Sequence, residues 1–356
     1  MTQSFHDEPV RGVIGNFGAL KFNGLQATRG FIRGDIAGPP IHHLLGMRPT
    51  SVGPGTVTWS MPVTPWLMDR LGIIYGGVYV LFADGPLGGA LYTTVAPGQL
   101  VTTTEISISY VRPATLDTGN LIGRAHTVHA GRGTGISAVH IEDRHGRLMA
   151  HGTTRCVIVD IPFDPETDVI ASSPPIEDPP DPYLRPIDVP QPDLSELLTE
   201  KPLDLMRKYV SGEYDFGPIN SILGGRALEV EDGEYSFDMP ASPWFSAGGP
   251  AMYGGAIASA LDTVMTGAIY SSLDIGSFMA NLDLKVRFLR PAMLDGSRLT
   301  LTSEVVHRGR TVRTARSEMT DANGKRIALA TASAMVLPDA PRQLMSGEMP
   351  DEIVPG

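Results

Sequence analysis

Two aspartates sit in stretches that otherwise read as buried helix. Asp84 closes YGGVYVLFAD (75–84) and Asp262 closes YGGAIASALD (253–262), each behind a pair of glycines. A carboxylate among apolar side chains is expensive to bury unless it is paired or used. Held there, it can act as a base or a nucleophile, because partial desolvation raises its pKa. Gly76, Gly77, Gly254 and Gly255 add a second capability. Amide N–H groups at a helix start lack intrahelical partners, and without side chains they can approach a group that becomes negative.

The two stretches belong to an internal repeat. Shifted by 178 positions, residues 41–160 overlie 219–338 without a gap, and MPVTPW matches MPASPW, RPATLD matches RPAMLD and HAGR matches HRGR. A weaker match joins 25–35 to 203–213. The period far exceeds that of solenoid repeats, so the chain reads as two fused homologous domains. Between them, residues 162–192 are rich in proline, which favours extended, non-helical chain.

Each copy has the same order of elements. A short amphipathic helix, about 203–211 in the second copy, precedes a strand at 56–63 or 234–241. An apolar segment follows at 77–95 or 255–273, too long for one strand and therefore helical. Four alternating segments with short turns complete the copy and imply antiparallel strands. The fold class is α+β, each half an antiparallel sheet of about five strands round a long central helix. Pro86, two residues after Asp84, is expected to kink or break the first central helix.

Composition narrows the partners. A net charge of -11 without basic blocks argues against nucleic acid, and no run is apolar enough to span a membrane. The N-terminus lacks a leader pattern, so a cytoplasmic location is expected. Cys156 is the single cysteine, which excludes internal disulfides and reads as a small core residue. The histidines show no metal-ligand spacing, and neither metal nor cofactor is expected.

The order of elements, with GG ahead of an Asp, resembles the hotdog thioesterases, specifically the PaaI-type group acting on acyl-CoA. That group's pattern is roughly N-x-x-G-x-x-H-G-G-x-x-x-x-x-x-D, followed by a strand bearing Ser or Thr. In DRLGIIYGGVYVLFAD, Asp69 takes the Asn position, Tyr75 the His position, and Thr103 falls near the Ser/Thr. In AGGPAMYGGAIASALD the corresponding residues are Ala247, Tyr253 and Asn281. Both copies thus replace His by Tyr, and neither keeps the Asn.

The resemblance implies a double hotdog: an N-terminal domain with its extension at 1–160, a linker at 161–200, a C-terminal domain at 201–340 and a tail at 341–356. It implies hydrolysis of acyl-CoA, with the Asp as base or nucleophile and the glycine amides as oxyanion donors. It also implies sites shared across the halves. One combines Asp69, Tyr75 and Gly76 with Asp262 and Asn281; the other combines Tyr253 and Gly254 with Asp84 and Thr103. His129 with Arg132, and His307 with Arg310, are either turn residues or contacts for the CoA phosphates. Association into homo-oligomers is expected by the same resemblance. Two alternatives stay open, an enoyl-thioester hydratase and a thioester-binding regulatory module.

Overall fold

The computed structural model describes residues 5–69, 72–172, 179–187, 195–214, 217–338 and 340; the tail expected at 341–356 lies outside them. The first half contains α1 (Gly24–Arg33), α2 (Pro40–Leu45), β1 (Arg48–Gly53), β2 (Thr56–Pro62), α3 (Gly77–Tyr92), β3 (Gln99–Tyr110), β4 (Asn120–Ala130), β5 (Thr134–Glu142) and β6 (Leu148–Asp160). A short helix α4 (Ser195–Thr199) leads into the second half. There follow α5 (Pro202–Ser211), α6 (Pro218–Leu223), β7 (Arg226–Glu231), β8 (Glu234–Pro240), α7 (Gly254–Ser271), β9 (Ser277–Phe288), β10 (Arg298–Arg308), β11 (Val312–Thr320) and β12 (Arg326–Pro338).

The strands form one 12-stranded sheet in the order β1-β2-β4-β5-β6-β3-β9-β12-β11-β10-β8-β7. The halves meet where β3 pairs antiparallel with β9. Ser107 lies opposite Lys285, its own repeat counterpart, so a local twofold axis passes between them. The sheet curls round α3 and α7, which also pack on each other. That environment explains why both helices are apolar on nearly every face: there is no solvent side.

Among the described residues each half has six strands, one beyond the expectation of about five. The strands missed are β1 and β7, short edge strands whose pairing with β2 and β8 is interrupted by bulges at Pro49/Ser51 and Ala227/Glu229. A bulge shifts the side-chain phase, so neither strand shows the alternation that marks a half-buried strand. Pro86 does not break the helix, since α3 continues through it. Gly123 on β4 makes room for the ring, since a Cβ there would lie 2.9 Å from Pro86 Cγ.

In the described part of the proline-rich connection a 3-10 turn spans Pro182–Leu184, and side chains tie it down. Arg185 pairs with Glu8 at 2.6 Å, Arg11 with Asp181 at 2.8 Å, and Trp66 Nε1 donates to the Arg185 carbonyl at 2.8 Å. These contacts bind the N-terminal extension and the connection to the first domain. Among the described residues no helix is long and apolar enough to cross a membrane.

Candidate active site

The start of each central helix faces the aspartate of the other half. Thr103 Oγ1 donates to Asp84 Oδ1 at 2.9 Å, and the Gly255 amide donates to Asp84 Oδ2 at 2.8 Å. Asp84 is 5% exposed. Burial pushes its carboxyl above the usual range, while Thr103 and the Gly255 amide pull it back. Both oxygens are therefore engaged in short bonds, and the Gly255 amide expected as an oxyanion donor is already bound to the carboxylate.

Asp262 is 1% exposed and more loosely bonded. Tyr110 donates to its Oδ1 at 3.2 Å, and Asn281 Nδ2 stands 3.2 Å from Oδ1 and 3.3 Å from Oδ2. Burial raises its carboxyl to about 7, against the pull of the Tyr110 hydroxyl and the Gly77 amide. That amide bears on the charge without making the short bond that Gly255 makes to Asp84. A carboxyl that titrates near neutrality, with side-chain hydrogen bonds of 3.2 Å and longer, is suited to exchanging a proton.

A cavity of about 210 Å³ comes within one residue of Asp262. Its near wall includes Tyr75 and, on α7, Thr263 and Thr266; Thr266 Oγ1 receives a 3.5 Å bond from Asn281. Met206 and Tyr209 of α5, Ile219 and Leu223 of α6, Tyr235 of β8, and Phe278 and Met279 of β9 line the rest. The Tyr75 hydroxyl is buried without a hydrogen bond of normal geometry, although Thr263 and Thr266 approach it. Desolvation and the nearby Asp262 charge push this phenol well above its ordinary pKa, so it remains a donor.

The corresponding ground in the first half is occupied by an indole. Trp59 lies across α3, with ring atoms 3.1 Å from where a Cβ on Gly85 or Gly89 would sit. His42 packs edge-on against that indole at 5.3 Å, and burial lowers its pKa to about 3, so it is neutral. Gly88, at the position of Thr266, still faces open space.

The paired glycines divide their work. A Cβ on Gly76 would lie 2.6 Å from Asn281 Nδ2 and 3.3 Å from Asp262 Oδ2; one on Gly254 would lie 2.9 Å from Asp84 Oδ2. The second glycine of each pair serves helix packing. A Cβ on Gly77 would meet Ser259 Oγ at 2.7 Å, and one on Gly255 the Leu81 carbonyl oxygen at 2.6 Å.

The other expected residues fall as follows. Tyr253 is buried beside Asp84, and its phenol too is pushed well above its ordinary pKa, by burial first and then by that charge. Asp69 lines the cavity, and its Oδ1 accepts from the Ile73 amide at 3.1 Å, which shapes the loop before α3. His129, Arg132, His307 and Arg310 are exposed near the β4–β5 and β10–β11 turns. Pairing of Thr103 with Cys156, Cys156 with Gly135 and Gly135 with Ala130 places the first turn three strands, roughly 14 Å, from Thr103. Asn281, Ala334, Arg313 and Arg308 form the equivalent row in the second half. Cys156 is a fully buried core residue whose thiol burial raises to about 12.

Two features escape sequence reasoning. Tyr110 has no repeat counterpart of its own type, since Phe288 stands at the matching position. Each strand that supplies Thr103 or Asn281 also carries an extra residue, Thr104 or Leu282, opposite a continuous partner. Such bulges re-aim side chains next to functional sites.

Comparison with known proteins agrees with this architecture. The family model described as "Thioesterase superfamily" matches residues 71–150 and again 249–328. The proofreading thioesterase EntH of Cronobacter turicensis is 31% identical over 110 residues, 31% of this chain and 78% of that protein. The 1,4-dihydroxy-2-naphthoyl-CoA hydrolase of Listeria monocytogenes is 24% identical over 118 residues, 33% of this chain and 93% of that protein. Among solved structures, the tesB protein of Mycobacterium avium subsp. paratuberculosis superposes with a TM-score of 0.55 at 13% identity, over 84% of this chain and 98% of that one. That likeness establishes the fold: α+β, two hotdog units in tandem.

Proposed function

The chain belongs to the thioesterase superfamily, and on that premise we propose that it hydrolyses acyl-CoA thioesters to the free acid and CoA at the site built round Asp262. The observation that carries this reading is the apolar cavity beside a buried carboxylate and a glycine-led helix start. The acyl group lies in the cavity, and the thioester carbonyl lies at the Gly76 amide, which Asn281 Nδ2 and Asp262 Oδ2 can approach closely because no side chain stands there. Asp262 takes a proton from water as the water oxygen bonds to the carbonyl carbon, and the Gly76 amide stabilises the oxyanion that results. Collapse of that oxyanion breaks the C–S bond, the CoA thiolate leaving with the proton that Asp262 gives back. Its pKa near 7 suits a base at neutral pH. Tyr75, in the place where the PaaI-type pattern has His, offers a second donor to the acyl oxygen. The exposed His307 and Arg310 are suited to the CoA phosphates.

The test is release of CoA thiol from short, long and aromatic acyl-CoAs. Turnover that rises with pH through about 7 is expected from ionisation of Asp262. Hydration of an enoyl-CoA without thiol release would replace this reading with a hydratase. Tight acyl-CoA binding without turnover would replace it with a regulatory module.

A further inference from the structure

Tyr110 belongs to the first half, at the end of β3, yet its hydroxyl donates to Asp262 Oδ1 of the second half at 3.2 Å. In the other site the same position is Phe288, whose ring stands 3.4 Å from where a Cβ on Gly254 would lie and which has no proton to give Asp84. The difference bears on how each carboxylate is oriented. The terminal torsion of an aspartate is broad, so a carboxylate keeps one face forward only when one oxygen is anchored. Asn281 does not supply that anchor, because its Nδ2 is 3.2 Å from Oδ1 and 3.3 Å from Oδ2 and favours neither. Tyr110 breaks the tie. With Oδ1 held, Oδ2 faces Gly76, whose missing Cβ would lie 3.3 Å from it.

We propose that Tyr110 is a positioning residue of the Asp262 site, anchoring Oδ1 so that Oδ2 is presented to the thioester carbonyl at Gly76. The phenol is fixed in advance. Its ring packs edge-on against Tyr79 at 5.9 Å, and the Tyr79 hydroxyl is itself tied to the Arg112 carbonyl at 2.9 Å. Burial and the Asp262 charge push the Tyr110 pKa well above its ordinary value, so it stays a donor throughout the working range. The groups facing Asp262 are Tyr110 from β3, Tyr75 from the loop before α3, the Gly77 amide from α3 and Asn281 from β9. Of these only the two phenols titrate.

This proposal rests on the Asp262 site being the hydrolytic one, and its test separates the two. In protein carrying 13C-labelled aspartate, the Asp262 carboxyl resonance, assigned through Asp262→Asn, is titrated in wild type and Tyr110→Phe. The substitution is expected to move the midpoint upward, to shift the acid limb of kcat the same way, and to lower kcat ~10- to 100-fold at pH 7 with KM little changed. Tyr79→Phe, which removes a neighbouring hydroxyl that does not face Asp262, is expected to leave the midpoint in place. Should Tyr110→Phe fold poorly, fluorotyrosine at position 110 is a stronger donor and is expected to move the midpoint downward. An unmoved midpoint in these variants overturns the role of Tyr110 whether or not the protein turns over. Absent wild-type turnover with a shifted midpoint overturns the hydrolytic reading alone.

Discussion

Asp84 and Asp262 are repeat counterparts, both buried and both facing the start of the opposite helix, yet their bonding differs. Asp84 is bound on one side by Thr103 at 2.9 Å and on the other by the Gly255 amide at 2.8 Å. Asp262 has side-chain bonds of 3.2 Å and longer from Tyr110 and Asn281, a cavity beside it, and a phenol where its twin has a phenyl ring. Strong bonds to the charged form fix a carboxylate as a structural clamp; weak ones leave it available. The same repeated unit thus supplies a fastening between halves in one place and, on the proposed reading, a reactive group in the other.

Substitutions at equivalent positions sharpen that contrast. The largest effect is expected at the first glycine of each pair. Gly76 has φ -52, so alanine is tolerated by the backbone and acts only through its Cβ, which would displace Asn281. Gly76→Ala keeps the backbone N–H and is expected to lower kcat/KM for thioester hydrolysis by ~100-fold through displacement of Asn281 and Asp262 from the reacting geometry. Gly254→Ala is expected to stay within a few-fold of wild type, and equal losses in the two variants would erase the distinction between the sites.

The second glycines should separate by stability instead. An added Cβ at Gly255 meets the Leu81 carbonyl oxygen, which is backbone and cannot swing aside, whereas at Gly77 the closest atom is the Ser259 hydroxyl. Gly255→Ala is expected to cost ~1–3 kcal/mol, seen as a lowered Tm, and Gly77→Ala less. The reverse order would show that the halves are not fastened as described.

A smaller effect follows from burying a base. The Asp262 carboxyl is raised to about 7 from 3.8, so the folded chain keeps this proton where the unfolded chain has lost it. Stability therefore falls as pH rises between those values. Asp262→Asn, which carries no such penalty, is expected to raise Tm at pH 8 and to raise it less at pH 5, as thermal unfolding at the two pH values would show. A gain that does not depend on pH would contradict the raised pKa.

Much of this contrast can be traced in the sequence. The repeat identified Asp84 with Asp262 and each YGG with its twin, and the family resemblance paired the glycines of one half with the aspartate of the other, residues that lie side by side in the fold. What the sequence did not reveal depends on long-range pairing. Tyr110 reaches Asp262 because β3 and β9 join the two halves of the sheet, and it leaves no repeated signal. The bulges at Thr104 and Leu282 exist only relative to β6 and β12. Asp69 carried a pattern position, yet its backbone contact to Ile73 makes it a loop-shaping residue as well as a cavity wall. The edge strands β1 and β7 were missed because bulges cancel their alternation.

The claim that chemistry runs at Asp262 and not at Asp84 is tested most directly by CoA-thiol release at pH 8 from the best acyl-CoA substrate, measured in parallel for Asp262→Asn and Asp84→Asn. The account predicts loss of turnover by ~1,000-fold or more in the first and retention within a few-fold, in whatever fraction remains folded, in the second. Full turnover in Asp262→Asn, or its loss only in folded Asp84→Asn, would contradict it.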